Sequence, residues 1–250
     1  MATLIKLYGE RNTNTNYLSQ LIRLNLEAGE LRGVVPPAVM RLQSRLPGEE
    51  WLRDLYFAMT YDRNLGWKHS WAEPAKRIAR CTAFTDNDLV FVTTTKNPYS
   101  WLWSLFRRPY HQRGATKPDF MTFLTSPWLT VGRDRITHRL QSPIELWNIK
   151  NSSYLQLPAD RTLHTTTERL IADAEGVIGE IATSFAIPRL AEGFTDYDSS
   201  TKDPAKDKRY YQDYYLNERW RDEIPAEAVA VINATVDQSL MARFGYERLT

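Results

Sequence analysis

The chain reads as an α/β protein built on buried parallel strands, because twice an apolar run hands over to a helix through a short polar turn and a third strand-like stretch is followed by another helix. Leu4-Ile5-Lys6-Leu7 breaks at Tyr8-Gly9, and Leu18, Leu21, Ile22 and Leu26 then recur at helical spacing. Leu89-Val90-Phe91-Val92-Thr93-Thr94-Thr95 is apolar, β-branched and continuous, as a strand covered on both faces should be. Arg161-Thr162-Leu163-His164-Thr165 is the third strand, and a helical pattern with Val177, Ile181 and Phe185 follows it to Ile187-Pro188.

Composition narrows the class. At 250 residues the chain suits a single large domain, residues 1–250, and shows no repeat or linker. A hydrophobic share of 42% with 8 Trp and 13 Tyr excludes a disordered chain. The formal charge of +2 gives no nucleic-acid footprint, so any basic residues that bind a ligand act locally. One cysteine, Cys81, excludes an intrachain disulfide framework and reads as an inert thiol. No apolar stretch reaches membrane-spanning length and no leader pattern opens the chain, so a cytoplasmic protein is expected.

The first handover is the most informative. Arg11-Asn12-Thr13-Asn14-Thr15-Asn16 supplies Asn and Thr as cap residues for the first helix, and Gly29 is the expected stop. A loop that delivers a helix N-terminus exposes free N–H groups at the positive end of the macrodipole, which makes an anion site for phosphate or sulfate. No Gly-Lys-Ser/Thr follows Gly9, so this is not the loop of a magnesium-dependent nucleotide triphosphatase.

Residues 29–48 read as irregular, with Pro36-Pro37 and Pro47-Gly48 as punctuation. Glu49-Glu50 then open a helix that carries Trp51, Leu52, Leu55, Tyr56 and Met59 and ends near Asn64. His69, after Trp67-Lys68, is either a hydrogen-bonded structural histidine or a base titrating near neutrality. A short helix over 73–81 and a turn at Asp86-Asn87-Asp88 precede the clearest strand. There Asn97 is the N-cap and Pro98 the first helical residue. Ser104 lies about two turns past Asn97, on the face Asn97 presents, so Lys96 and Ser104 can offer a charge and a hydroxyl to one anion.

Arg107-Arg108 and Arg113 end that helix either as ligand contacts or as its ordinary cationic last turn. Phe120, Phe123, Leu124, Trp128 and Leu129 are either a lid-like insertion or plain packing. Ser142-Pro143 start a helix with Ile144, Trp147 and Tyr154 inward. Residues 193–208 read as a surface loop and candidate lid, and Lys206, Lys208 and Arg209 as either ligand contacts or a solvated charge run. Tyr210, Tyr211, Tyr214 and Tyr215 read as core, and Val229, Ile232, Val236, Leu240 and Phe244 as one closing helix before Gly245.

Taken together these segments resemble sulfotransferases that use 3′-phosphoadenosine 5′-phosphosulfate (PAPS). The 11–16 loop is similar to the family's phosphosulfate loop, with Asn14 in place of a glycine. Lys96-Asn97-Pro98 with Ser104 is similar to its Arg-Asn-Pro and a serine eight positions after the arginine. His69 resembles its base, Glu168, Leu170 and Asp173 match a helix-start element, and Phe244-Gly245-Tyr246 its close. Thr167 and Arg169 depart from that element.

The resemblance implies a three-layer α/β/α fold with a central parallel sheet, like that of P-loop kinases, and a ligand at the carboxyl ends of the strands. It implies that Arg11, Asn12, Thr13, Asn14, Thr15 and Asn16 hold the 5′-phosphosulfate and that Lys96 and Ser104 hold the 3′-phosphate, with PAP (3′-phosphoadenosine 5′-phosphate) as product. His69 would be the base, with Glu10 as the alternative, and Arg11 or Lys68 would neutralise charge on the bridging oxygen. The partner is a small-molecule or carbohydrate acceptor, and no metal is required. A phosphotransferase of the same fold and a non-catalytic nucleotide-binding relative are the competing readings.

Overall fold

The computed structural model describes residues 3–46, 50–78, 89–110, 113–197 and 207–250. Cys81, the 86–88 turn, the end of the 73–81 helix, Glu49, Lys206 and most of the 193–208 loop's second half lie outside the described residues.

Four strands form one parallel sheet in the order β2-β1-β3-β4: β1 Leu4–Gly9, β2 Gly29–Glu30, β3 Leu89–Thr95 and β4 Thr162–Thr166. The register runs from Leu4 opposite Leu89 to Gly9 opposite Thr94, and Thr95 stands opposite Thr166. All seven residues of β3 are buried, as its continuous apolar run requires. Helices α1 (Thr15–Asn25), α2 (Pro37–Gln43), α3 (Trp51–Met59), α4 (Tyr61–Asn64) and α5 (Ala75–Ile78) precede β3. Next come α6 (Pro98–Arg107), α7 (Phe120–Thr125) and α8 (Pro143–Tyr154). After β4 follow α9 (Thr167–Ala172), α10 (Ala174–Ser184), α11 (Lys208–Leu216), α12 (Ala226–Thr235) and α13 (Gln238–Arg243).

Alternate strand residues face opposite layers. Ile5, Leu7, Val90 and Val92 pack against Leu18, Leu21 and Ile22 of α1 and Val177, Ile178 and Ile181 of α10. On the other face Tyr8, Leu89 and Phe91 meet Tyr61 and Tyr154. Helices therefore cover both faces of the sheet, which is the expected three-layer arrangement. A further apolar cluster joins α6, α7, α8, α12 and α13 around Trp101, Trp147 and Trp220.

Several expectations need correction. Gly29 does not end α1; the helix stops at Leu26, whose N–H reaches Ile22 O at 2.9 Å, and Gly29 pairs with Leu4 in β2. The 29–48 stretch is not wholly irregular, since it holds β2 and α2. Phe120, Phe123, Leu124 and Trp128 belong to the core, which resolves the lid alternative in favour of packing. The closing helix is two, because Val236 turns extended and Asp237 caps α13 by accepting from Leu240 N.

Candidate functional site

The chain leaves β1 toward β2 on one side and β3 toward β4 on the other, so the carboxyl ends of β1 and β3 flank a topological switch point. Ligands of open parallel sheets settle at such points. A cavity of about 740 Å³ is walled there by the loop after β1, His69, the second half of α6, and α11. Arg11, Arg23, Arg107, Arg108 and Lys208 line it, and none of its described lining residues is a carboxylate. The cavity wall therefore presents cationic side chains, four of which are paired with carboxylates behind it: Arg11 with Glu10 and Asp134, Arg23 with Glu30, Arg107 with Glu223 and Lys208 with Asp196.

The loop after β1 is bent by two left-handed residues, Asn12 at φ 63° and Asn14 at φ 58°. Asparagine reaches that region more readily than most residues, which lets Asn14 stand where the resembled family has glycine. Asn14 is the N-cap of α1, yet its side chain caps nothing, contrary to the expectation of an Asn or Thr side-chain cap. The first intrahelical acceptor is Asn14 O, which takes the Leu18 N–H at 3.0 Å, so the N–H groups of the first turn have no intrahelical partner. Asn12, Asn14, Thr15 and Asn16 lie on the cavity wall. Thr13 does not; its hydroxyl donates to Glu10 O at 2.5 Å and its carbonyl accepts from Thr94 Oγ1 at 3.1 Å, so it fastens the loop from within.

Arg11 reaches the wall from a buried ion-pair network. Its Nη1 lies 3.1 Å from Glu10 and its Nη2 3.0 Å from Asp134, while the guanidinium sits 4.9 Å from the Trp67 ring centre. Lys150 completes the network at 2.6 Å from Glu10 and in direct contact with Asp134. Burial alone would raise the Asp134 carboxyl, but Arg11 and Lys150 outweigh it and hold the group below the usual range. Lys68 is buried, off the wall, and donates to Asn16 Oδ1.

His69 sits on the wall with Nδ1 at 2.6 Å from Gly9 O. A carbonyl only accepts, so the contact assigns the proton to Nδ1 and leaves the lone pair on Nε2. Burial first, then the charge of Lys68, holds His69 well below the usual histidine range; Arg11 and Lys150 add to this, and the Gly9 hydrogen bond opposes it. The imidazole is therefore neutral at pH 7, edge-on to Trp67 with 4.8 Å between ring centres.

Lys96 and Ser104 come together as their spacing predicts. Asn97 Oδ1 accepts from Tyr99 N at 3.1 Å to start α6, and two turns later Ser104 Oγ receives Lys96 Nζ at 2.7 Å. Lys96 is buried beneath the Tyr215 ring, 3.9 Å from its centre, and Ser104 opens onto the cavity. Glu168 ties this corner to the closing segment: Oε1 accepts from Asn97 N at 3.1 Å and Oε2 from Tyr246 OH at 2.8 Å. Thr167 is buried and off the wall.

Sequence reasoning missed part of the wall. Tyr210, Tyr211, Tyr214 and Tyr215 are not core; α11 buries no residue fully, and all four line the cavity with Tyr17, Tyr110 and Tyr197. Asp134 and Lys150 were also missed. Lys150 left a readable trace, a lysine three residues after Trp147 and four before Tyr154 on an apolar helix stripe. Lys208 reaches the wall and pairs with Asp196, whereas Arg209 is exposed and off it.

No family model and no curated protein matches the chain. Among solved structures it is similar to the sulfotransferase domain from the curacin biosynthetic pathway. The identity is 12% and the TM-score 0.45, over 100% of this chain and 99% of that one. At those values the likeness is one of outline and gives no residue a role.

Proposed function

We propose that this chain is a sulfotransferase that takes a sulfuryl group from PAPS and gives it to an acceptor hydroxyl. One observation carries the reading. Two anion-binding elements, the α1 N-terminus and the Lys96–Ser104 corner, meet at one cationic cavity without described carboxylates. PAPS presents two anionic ends, the 3′-phosphate and the 5′-phosphosulfate, and the cavity lies within the usual range for a ligand of that size.

In this reading PAPS supplies the sulfuryl group. Ser104, with the Lys96 charge behind it, holds the 3′-phosphate. The first-turn N–H groups of α1, with Asn12, Asn14, Thr15 and Asn16, hold the 5′-phosphosulfate and stabilise charge on the transferring oxygens. Thr13 keeps that loop in shape. His69 Nε2 takes the acceptor's hydroxyl proton as that oxygen bonds to sulfur; the bond from sulfur to the 5′-phosphate oxygen breaks and PAP leaves. Glu10 is the poorer base, being buried and shared by Arg11 and Lys150. Arg11, which reaches the wall, neutralises charge at the bridging oxygen in preference to Lys68, which lies off it. The tyrosine wall suits the flat face of a carbohydrate or ring-bearing alcohol.

Calorimetric titration with PAP, ADP and ATP, on wild type and on Lys96→Met, tests the reading. PAP is expected to bind most tightly. Losing one charged hydrogen-bond partner, about 1.5–3 kcal/mol, should cut PAP affinity by about 10- to 150-fold and leave ADP nearly unchanged. PAP binding no tighter than ADP would overturn the assignment, and magnesium-dependent turnover of ATP would replace it with phosphoryl transfer.

A further inference from the structure

We propose that Lys150, held by Asp134, is a positioning residue that fixes the tautomer and orientation of His69; this rests on His69 being the base. Glu10, Arg11, Asp134 and Lys150 are each at most 3% exposed. The Lys150 ammonium donates to Asp134 Oδ1 and to the His69 carbonyl at 2.6 Å, and its Nζ forms an ion pair with Glu10 Oε2 at 2.6 Å.

Those contacts grip His69 from two directions. One pins its backbone directly. The other pins Glu10, whose neighbour Gly9 supplies the carbonyl that receives the His69 Nδ1–H. A single buried ammonium thus secures both ends of the bond that sets the tautomer. Asp134 in turn is secured by Arg11 Nη2 and by its own carbonyl, which accepts from Trp71 N at 2.9 Å, two residues past His69. Two carboxylates balance two cations in the network, so its net charge is zero. Outside it, Lys68 is the charge that lowers the histidine's proton affinity most.

The test reads His69 directly, by long-range nitrogen–proton correlation spectra of the imidazole across pH, on the full chain with no ligand added. Wild type should show Nδ1 protonated and a midpoint below 6.5. Lys150→Met leaves Glu10 and Asp134 short of a cation, so Lys150→Met/Glu10→Gln, which restores the balance, is measured beside it. Either folded variant should show mixed tautomers and a midpoint raised toward 6.5. With PAPS, turnover should fall at least tenfold while the donor KM stays within about twofold.

Asp134→Asn, which keeps the shape and weakens the grip on Lys150, should fall between and serves if neither Lys150 variant folds. Wild-type His69 with its proton on Nε2 overturns the proposal, as do folded variants whose His69 signals match wild type. The spectra need neither donor nor acceptor. Absence of PAP binding would therefore sink the sulfotransferase reading alone, and unmoved spectra the positioning role alone.

Discussion

Acidification should destabilise this protein through His69. Folded, the imidazole is held well below the usual histidine range by burial, then by Lys68. Unfolded, it titrates near 6.5. The unfolded chain therefore binds the proton first as pH falls, so this contribution to stability is intact well above 6.5 and is lost below it. If the folded imidazole stays neutral at pH 5, the loss is RT ln(1 + 10^1.5), about 2 kcal/mol. Urea unfolding at pH 8 and pH 5, on wild type and on His69→Gln, isolates it. His164, also lowered by burial and then Arg243, is present in both proteins and cancels in the difference. Wild type should lose about 2 kcal/mol more than the variant between the two pH values. Equal losses would mean that His69 titrates normally in the fold, and the argument for a neutral, ready base would fail with it.

Three further outcomes can be checked on the same apparatus. A Cβ at Gly33 would lie 2.6 Å from Lys68 N, so Gly33→Ala must push the backbone that leads into His69; a stability loss of about 1–3 kcal/mol is expected in urea melts. Asn14→Gly should fold within about 0.5 kcal/mol of wild type, while Asn14→Val, forced into left-handed backbone, should lose about 1–2 kcal/mol. Burial lowers Lys6 to about 7, against a smaller opposing pull from Glu30, although its ammonium donates to Asn64 O and Gly66 O at 2.6 Å each. The unfolded chain then holds the extra proton between pH 7 and 10.5, so stability should rise with pH there by about 1.4 kcal/mol per unit, and Lys6→Met should flatten that slope.

What the sequence disclosed was local. β1 and β3 announce themselves by apolar runs, and Asn97 and Ser142 cap helices with their own side chains. Lys96 and Ser104 could be paired because two helical turns fix their separation whatever surrounds them. The Asn14 conformation was likewise legible from residue type. β2 was not, because two residues become a strand only by pairing with Leu4 and Ile5. The ion network was invisible for a similar reason: Arg11 and Asp134 are 123 residues apart, and nothing near either names the other. The tyrosines of α11 were misread as core because a helical aromatic stripe does not say whether protein or a cavity lies opposite it.

The clasp at Glu168 has a consequence for biosynthesis. It joins Asn97 N, 71 residues upstream, to Tyr246 OH, 78 residues downstream, and Leu249 N reaches back 150 residues to Tyr99 OH. The parallel pairing of β1 with β3 can form long before then. The corner around Lys96 stays unfinished until residue 246 has emerged from the ribosome, so a nascent chain is left with its cationic pocket half assembled. Arrival of residues 246–249, rather than closure of the sheet, completes the corner around Lys96.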